Sequence, residues 1–115
     1  MNKIICLFLI LFCCEFTYQE GIASYYTVQS SSNLTASGEI YNENALTCAM
    51  WNVDFGTKIE VTNLENDKKV IVRVNDRGPN KRLNRLIDLS KRAFFILSDG
   101  HLEKGLLKVK IRILN

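Results

Sequence analysis

Cysteine and histidine are scarce in this 115-residue sequence, and their scarcity excludes two kinds of chemistry. Three of the four cysteines lie within the first 14 residues, so residues 21–115 contain only Cys48 and form no internal disulfide. Cys48 has no Cys or His partner at metal-ligand spacing and is interpreted as a small core residue. The single histidine, His101, follows a predicted Asp-Gly turn and is expected to be exposed. These residues therefore predict no metal site.

Apolar runs long enough to cross a membrane are also absent. The run at residues 4–12 has nine residues, whereas a spanning helix needs about 20. It follows Lys3 and precedes a polar stretch that ends at Glu20, an arrangement typical of an export signal. The alternative is an N-terminal core segment, although no polar residue alternates with the run. We predict a signal peptide over residues 1–20 and one exported domain over residues 21–115.

Two cysteines after this run leave the type of signal open. Cys13 or Cys14 is a candidate for the acylated cysteine of a bacterial lipoprotein, although Phe12 stands where a small residue normally precedes such a cysteine. An acyl chain would anchor the domain to a membrane, whereas simple cleavage would release it. Both alternatives place the domain in the bacterial periplasm or cell envelope.

A strong excess of charge of either sign is absent too. Residues 21–115 carry 14 basic and 10 acidic side chains, a net charge of +4. No basic cluster is interleaved with aromatic residues, so nucleic acid is not expected as a partner. The small positive charge suits an anionic polymer such as a bacterial wall, and it is equally usual for a soluble surface.

What is present after residue 20 is a series of strand-like segments. The clearest is 106–114, where apolar side chains from Leu107 to Ile113 alternate with Lys and Arg. A polar turn at 65–67 predicts a hairpin between its two flanking segments. The other predicted strands are residues 21–27, 58–64 and 68–75.

One short helix is predicted after these strands. Ser90 is a suitable N-cap, Phe94 and Leu97 are apolar at helical spacing, and Gly100 follows its end. Many short strands with one short helix favour a barrel over a doubly wound parallel sheet. The predicted fold class is therefore mainly β.

The run Asn-Asp-Arg-Gly-Pro at residues 75–79 is the best-marked candidate site. Asp76 directly follows a strand, in a loop that glycine and proline make sharp and rigid. A carboxylate held in this way is well placed to act as a general acid or base. The same residues are also ordinary turn formers, and Arg77 has the charge to pair with a neighbour, so a plain turn is the alternative.

Two further carboxylates are candidates for the same chemistry. Glu39 follows a Ser-Gly turn, and Asp88 lies two residues before the helix cap Ser90. Glycosidic cleavage needs a proton donor for the leaving oxygen, often with a second carboxylate. Sugar rings stack on aromatic side chains, and core packing accounts for such residues equally well. The aromatic candidates are Tyr25, Tyr26, Tyr41 and Trp51.

Taken in order, these segments resemble the rare-lipoprotein-A (RlpA-like) family of bacterial envelope proteins. The resemblance covers residues 21–115, and its most specific pair is the Asn-Asp-Arg-Gly-Pro run with Ile-Asp-Leu-Ser downstream. The matching segments are GIASYY at 21–26, TASGE at 35–39, ALTCA at 45–49, FGT at 55–57, VTNL at 61–64, RVNDRGP at 73–79 and IDLS at 87–90.

The resemblance implies a six-stranded double-psi β-barrel with one or two short helices, monomeric and without a cofactor. It also implies a lytic transglycosylase, which cleaves peptidoglycan between N-acetylmuramic acid and N-acetylglucosamine and closes a 1,6-anhydro ring without water. Asp76 would be the acid/base, Glu39 a functional glutamate, and Asp88 an aspartate of the same groove. The residues implied to bind substrate are Tyr25, Thr47, Asn75 and Arg77.

Three positions depart from the pattern of the family. Met50 stands where a histidine is common, Asp54 where a proline is usual, and Asn80 where an aromatic is usual. Because methionine neither donates nor accepts a proton, a second reading is a non-catalytic barrel that binds or loosens wall glycan, as in the expansins and barwin-like proteins.

Overall fold

A computed structural model describes residues 17–27 and 33–114. The predicted signal run, the lipidation candidates Cys13 and Cys14, and the Ser-rich loop at 30–32 lie outside the described residues. The described part has six strands, one α-helix and two 3₁₀ helices. Their bounds are β1 Gln19–Tyr25, β2 Thr47–Ala49, β3 Lys58–Asn63, β4 Lys69–Asp76, β5 Ile87–Leu89, β6 Leu106–Ile113, α1 Lys91–Leu97, and 3₁₀ turns at Lys81–Leu83 and Leu102–Lys104.

The strands form a closed barrel in the order β1-β5-β2-β4-β3-β6. β1 pairs with β5 and β2 pairs with β4 in parallel, and the other four pairings are antiparallel. The predicted mainly-β, six-stranded barrel with short helices is thus confirmed. Within residues 17–27 and 33–114, no helix has the length and apolar content needed to cross a membrane.

The barrel interior is filled from alternate positions of the long strands. Val70, Val72 and Val74 of β4 are buried, as the predicted alternation requires. Helix α1 covers one opening with the fully buried Phe94 and Leu97. Each such apolar side chain stabilises the fold by about 1.5–3 kcal/mol relative to an exposed one.

Helix α1 begins and ends where the sequence predicts. The Ser90 hydroxyl accepts a hydrogen bond from the Ala93 N–H and so caps the first turn. At the other end, Asn63 Nδ2 donates to the Leu97 carbonyl over 2.8 Å, which joins the β3–β4 hairpin to the last turn. The sequence predicts this hairpin, and the bond to Leu97 gives its Asn63 a structural function.

Three details differ from the sequence-based expectation. β1 begins at Gln19, which pairs with Ile111, so the strand starts two residues before its predicted start at residue 21. Ile113 was expected to face inward but is 55% exposed: it pairs with Ile59 of β3, but the pairing of β6 with β1 ends at Ile111. β2 and β5 were not predicted as strands, since three residues are too few to show alternation.

Candidate active site

Asp76 is the last residue of β4, and its carboxylate is fixed by main-chain donors. Its Oδ1 accepts hydrogen bonds from the Arg77 N–H at 2.8 Å and the Ala36 N–H at 2.9 Å. Among the described residues no hydrogen bond reaches Oδ2. One oxygen thus sets the orientation of the side chain, and the other is available to a ligand.

Asp88 lies two strands away from Asp76 at the same level of the barrel. Ala49 of β2 is paired with Asp76 on one side and with Asp88 on the other. Because neighbouring strands are about 4.8 Å apart, the two main chains are separated by roughly 10 Å. The barrel therefore brings together two of the three predicted carboxylates.

The environment of Asp88 differs from that of Asp76. Its Oδ1 accepts a hydrogen bond from the Ser24 hydroxyl of β1. Burial raises the pKa of Asp88, and the nearby charge of Asp76 raises it further, against opposing contributions from Ser24 and Arg85. Asp88 thus holds its proton more tightly than an exposed aspartate.

Gly78 allows the loop after β4 to lie against Asp88. Its φ is +153°, a backbone conformation that L side chains rarely adopt. A Cβ there would lie 3.4 Å from Asp88 Oδ2 and 3.4 Å from the Ala49 side chain. The glycine of the Asn-Asp-Arg-Gly-Pro run is therefore required by its backbone conformation, and a Cβ there would be in contact with Asp88.

Glu39, the third predicted carboxylate, forms an ion pair. Arg73 donates to both of its oxygens, at 2.6 and 2.8 Å, and Asn75 Nδ2 lies 3.4 Å from Oε1. Hydrogen bonding to Arg73, and then to Asn75, lowers the pKa of Glu39 to about 2. At neutral pH this carboxyl is ionised and has no proton to donate.

The four residues predicted to bind substrate do not lie together. Thr47 and Asn75 are buried beside the site; the Thr47 side chain interacts with the Tyr26 hydroxyl, and Asn75 Oδ1 has no hydrogen-bond partner in the described part of the chain. Arg77 donates to the Met50 carbonyl at 3.1 Å, with its guanidinium 3.9 Å from the Phe55 ring centroid.

Tyr25 lies apart from the other three. Its hydroxyl donates to the Leu102 carbonyl at 3.3 Å, and its ring centroid is 4.6 Å from that of Phe94. Packing against helix α1 accounts for this side chain.

Met50 is buried next to the main chain of Asp76. Its N–H donates to the Asp76 carbonyl at 3.2 Å, and its side chain belongs to the hydrophobic core. The position at which the sequence lacks the expected histidine therefore adjoins the central carboxylate. No group of three or more His, Cys, Asp or Glu side chains suited to a metal ion occurs in residues 17–27 and 33–114.

Trp51 borders the site on one side. Its Nε1 donates to the Pro79 carbonyl at 2.6 Å, which fixes the ring, and Lys81 Nζ lies 4.6 Å from the ring centroid. The ring is 38% exposed. It contributes to a cleft of about 690 Å³. That cleft is also lined by Gln19, Met50, Asn52, Arg85 and Arg112.

Sequence reasoning missed three contributors to the site. Ser24 holds Asp88, Arg73 holds Glu39, and the Ala36 N–H holds Asp76. Each lies within a segment that carries the family resemblance, but only Arg73 could have been singled out from the sequence pattern itself. It is a cation on the outward face of a strand, opposite an inward row of valines.

The comparisons with known proteins agree with this arrangement. A sequence model described as lytic transglycolase matches residues 18–111, and the chain belongs to that family. A probable endolytic peptidoglycan transglycosylase RlpA of Treponema pallidum is 50% identical over 97 residues, covering 84% of this chain and 30% of the relative. The RlpA protein of Haemophilus influenzae is 42% identical, covering 84% of this chain and 33% of the relative. The chain thus spans about a third of the length of these relatives.

Solved structures with the same fold are more distant in sequence. The Streptomyces papain inhibitor matches with a TM-score of 0.68 at 22% identity, covering 86% of this chain and 96% of the inhibitor. An expansin of Clavibacter michiganensis matches with a TM-score of 0.66 at 18% identity, covering 86% of this chain and 51% of the expansin. These matches confirm the predicted double-psi β-barrel, and the family match confirms the RlpA-like resemblance.

Proposed function

We propose that this protein is an endolytic peptidoglycan lytic transglycosylase that cleaves glycan strands between N-acetylmuramic acid and N-acetylglucosamine. The observation that carries the proposal is Asp76, a strand-end carboxylate with Oδ1 held by two N–H groups and Oδ2 available. The names of the relatives from Treponema pallidum and Haemophilus influenzae support the same reaction.

Asp76 acts as acid and then as base in this proposal. Protonated Oδ2 gives its proton to the glycosidic oxygen as the bond from that oxygen to C1 of the muramoyl sugar breaks. The C6 hydroxyl oxygen of the same sugar then attacks C1, and its proton returns to Asp76. The products are a 1,6-anhydromuramoyl end and a free 4-hydroxyl, and no water is consumed.

Neighbouring groups bind the strand in this proposal. Asp88 offers hydrogen bonds to sugar hydroxyl or amide groups near Asp76. Thr47 and Asn75 are buried, so in this proposal they support the side chains around them, as Asn75 does for Glu39. Arg77 fixes the loop between them through the Met50 carbonyl. Tyr25 is kept by its contacts with α1 and is assigned to the core.

We also propose that the protein acts as a monomer in the bacterial cell envelope, after export. The wall polymer lies there, and the apolar run at 4–12 fits an export signal. Cys13 and Cys14 are the two candidates for a lipid anchor. Intact mass of the protein purified from membranes tests this, since acylation adds the mass of the lipid and simple cleavage does not.

The reaction is tested by the chemistry of the new ends. Glycan strands freed of stem peptides are incubated with the protein in ¹⁸O-labelled water, and the fragments are analysed by mass spectrometry. Anhydromuramoyl ends without ¹⁸O are expected. Reducing ends carrying ¹⁸O would identify a hydrolase instead, and an absence of new ends would contradict any cleavage.

A non-catalytic glycan-binding barrel is the second candidate function, favoured by Met50 and Trp51. A fixed, part-exposed indole beside a cleft is suited to stacking on a sugar ring. Co-sedimentation with intact sacculi measures binding, and Trp51→Ala is expected to weaken it several-fold. Phe95→Ala is the control, because Phe95 is similarly exposed but lies on α1. Retention on sacculi without any new glycan ends would favour this second function.

A further inference from the structure

We propose that Arg73 is a positioning residue, whose ion pair with Glu39 holds the loop of residues 33–41 on the end of β4 and so keeps the Ala36 N–H on Asp76. This inference deepens the proposed function and rests on it. Glu39 then serves the reaction through loop position and does not transfer a proton.

The loop is tied together by its own hydrogen bonds. Leu34 and Ile40 form a bridge at its base. Within it, the Thr35 N–H and hydroxyl both bond to the Glu39 carbonyl, at 2.8 and 2.9 Å, and the Gly38 N–H donates to the Thr35 carbonyl at 3.0 Å. A force on the Glu39 side chain is therefore transmitted to Ala36, which lies inside the same set of bonds.

Apolar packing does little to keep residues 33–40 in place, and within the loop only Tyr41 at its end is a buried aromatic, packed against Tyr26. Leu34 is 60% and Ile40 71% exposed, and Thr35 is the one buried residue of 33–40. A segment with few buried apolar contacts opens easily unless polar contacts hold it. Its position over β4 therefore depends on hydrogen bonds and charge.

Three contacts join the loop to β4, besides the longer 3.4 Å bond from Asn75 Nδ2 to Glu39 Oε1. Two are single main-chain bonds, from the Ala36 N–H to Asp76 and from the Ser37 N–H to the Asn75 carbonyl at 3.2 Å. The third is the Glu39–Arg73 pair, with two short charge-assisted bonds. Charge-assisted, two-pronged pairs are the stronger kind of hydrogen bond, so this pair is the main attachment.

The environment of Glu39 argues against direct proton transfer by this side chain. Its two oxygens are engaged by Arg73, and its pKa is lowered to about 2. A general acid needs the opposite, a carboxyl that keeps its proton near the working pH. The geometry of the ion pair instead gives Glu39 the role of holding the loop on β4.

The first test uses nuclear magnetic resonance of the full chain and does not depend on activity. The Ala36 amide proton signal reports its bond to Asp76, so Asp76→Asn is expected to shift it. Arg73→Gln and Glu39→Gln are each expected to move this signal and to speed exchange of the amide with solvent. Lys68→Gln, which removes the exposed pair with Asp99, is the control. An unchanged Ala36 signal in both loop variants would overturn the proposal.

The second test separates holding the loop from touching the substrate. Arg73→Gln and Glu39→Gln are each expected to lower kcat about tenfold or more, with KM little changed, because the carboxylate is misplaced. The exchanged pair, Glu39→Arg with Arg73→Glu, is expected to recover most of the activity and the Ala36 signal. Recovery of the Ala36 signal without recovery of activity would overturn the proposal and show that Glu39 acts by its own contact with substrate. If the wild type forms no anhydromuramoyl ends, the proposed function fails, while the Ala36 signal still decides whether the pair holds the loop.

Discussion

The barrel wall and the loop of residues 33–41 meet at the end of β4, yet they are held by different forces. The wall is a closed ladder of strands around a core in which side chains such as Ile59 and Val74 are fully buried. Apart from the buried Tyr41 at its end, the loop leaves its large apolar side chains exposed and is attached through polar groups, above all Glu39 with Arg73.

We expect from this difference that the barrel wall determines stability and that the loop affects activity. Burial in the wall supplies folding free energy, and Asp76 and Asp88 are carried by strands of that rigid wall. The loop adds the Ala36 N–H to Asp76 but buries little apolar surface. Substitutions in the wall are thus expected to change stability, and substitutions in the loop to change activity.

The largest expected effect is on stability, from a cavity in the wall. Ile59→Ala is expected to lower the free energy of unfolding by about 2–5 kcal/mol, because Ile59 is fully buried in the core. Urea unfolding measures the loss. Ile71→Ala is the matched control, since Ile71 lies on the adjacent strand with its side chain 49% exposed, and its loss is expected to be about 0.5 kcal/mol. Equal losses of unfolding free energy in the two variants would contradict the distinction between the buried and the exposed face of the wall.

An intermediate effect is expected at Gly78, where wall and site meet. Gly78→Ala is expected to lower the cleavage rate about tenfold, because a side chain is strained at φ +153° and the loop that lies against Asp88 must shift. Gly105→Ala also places a side chain at positive φ, but nothing lies within 4 Å of its Cβ. Both variants are expected to lose similar stability in urea. A rate loss of the same size in Gly105→Ala would assign the effect to general strain.

The smallest expected effect is the pH dependence of stability that Asp88 causes. Burial raises its folded-state pKa, so its contribution to stability is complete below the unfolded pKa and is lost as pH rises through the folded pKa. Asp88→Asn is therefore expected to gain stability relative to the wild type between about pH 4 and pH 7. Urea unfolding at several pH values measures this difference.

Asp99 provides a control of opposite sign. Lys68 lowers the pKa of this exposed carboxyl, so its contribution is present above the unfolded pKa and is lost as pH falls. Asp99→Asn is expected to lose stability relative to the wild type as pH rises towards about 4, with no further change at higher pH. A difference between Asp99→Asn and the wild type that keeps changing between about pH 4 and pH 7, as it does for Asp88→Asn, would contradict the distinction between a buried and an exposed carboxylate.

The parts of the fold that sequence predicts are those with a repeating pattern. Strict alternation located β6 and the β3–β4 hairpin, and Ser90 located the start of α1. The short strands β2 and β5 were not predicted, because three residues are too few to show an alternating pattern. Both nevertheless lie in segments that carry the family resemblance. Barrel closure depends on pairings between distant segments, which periodicity does not encode.

The sequence indicates which carboxylates come close together better than it indicates the contacts that each of them makes. Asp76 and Asp88 lie together as the resemblance implies, because both flank Ala49. The ion pair of Glu39 was not predictable, since Arg73 lies 34 residues away and meets it only once the loop folds back. The sequence also did not decide whether each aromatic side chain faces the core or the solvent. Tyr25, for example, packs against Phe94 of α1.

The measurement that tests the central claim most directly is the rate at which Asp76→Asn forms anhydromuramoyl ends. Asparagine keeps the oxygen that accepts the Ala36 and Arg77 N–H groups but has no acidic proton to transfer. The rate is expected to fall by about 10²–10⁴-fold, with the melting temperature and sacculus binding close to those of the wild type. A variant that cleaves glycan at the wild-type rate would show that Asp76 is not the acid and base of this site.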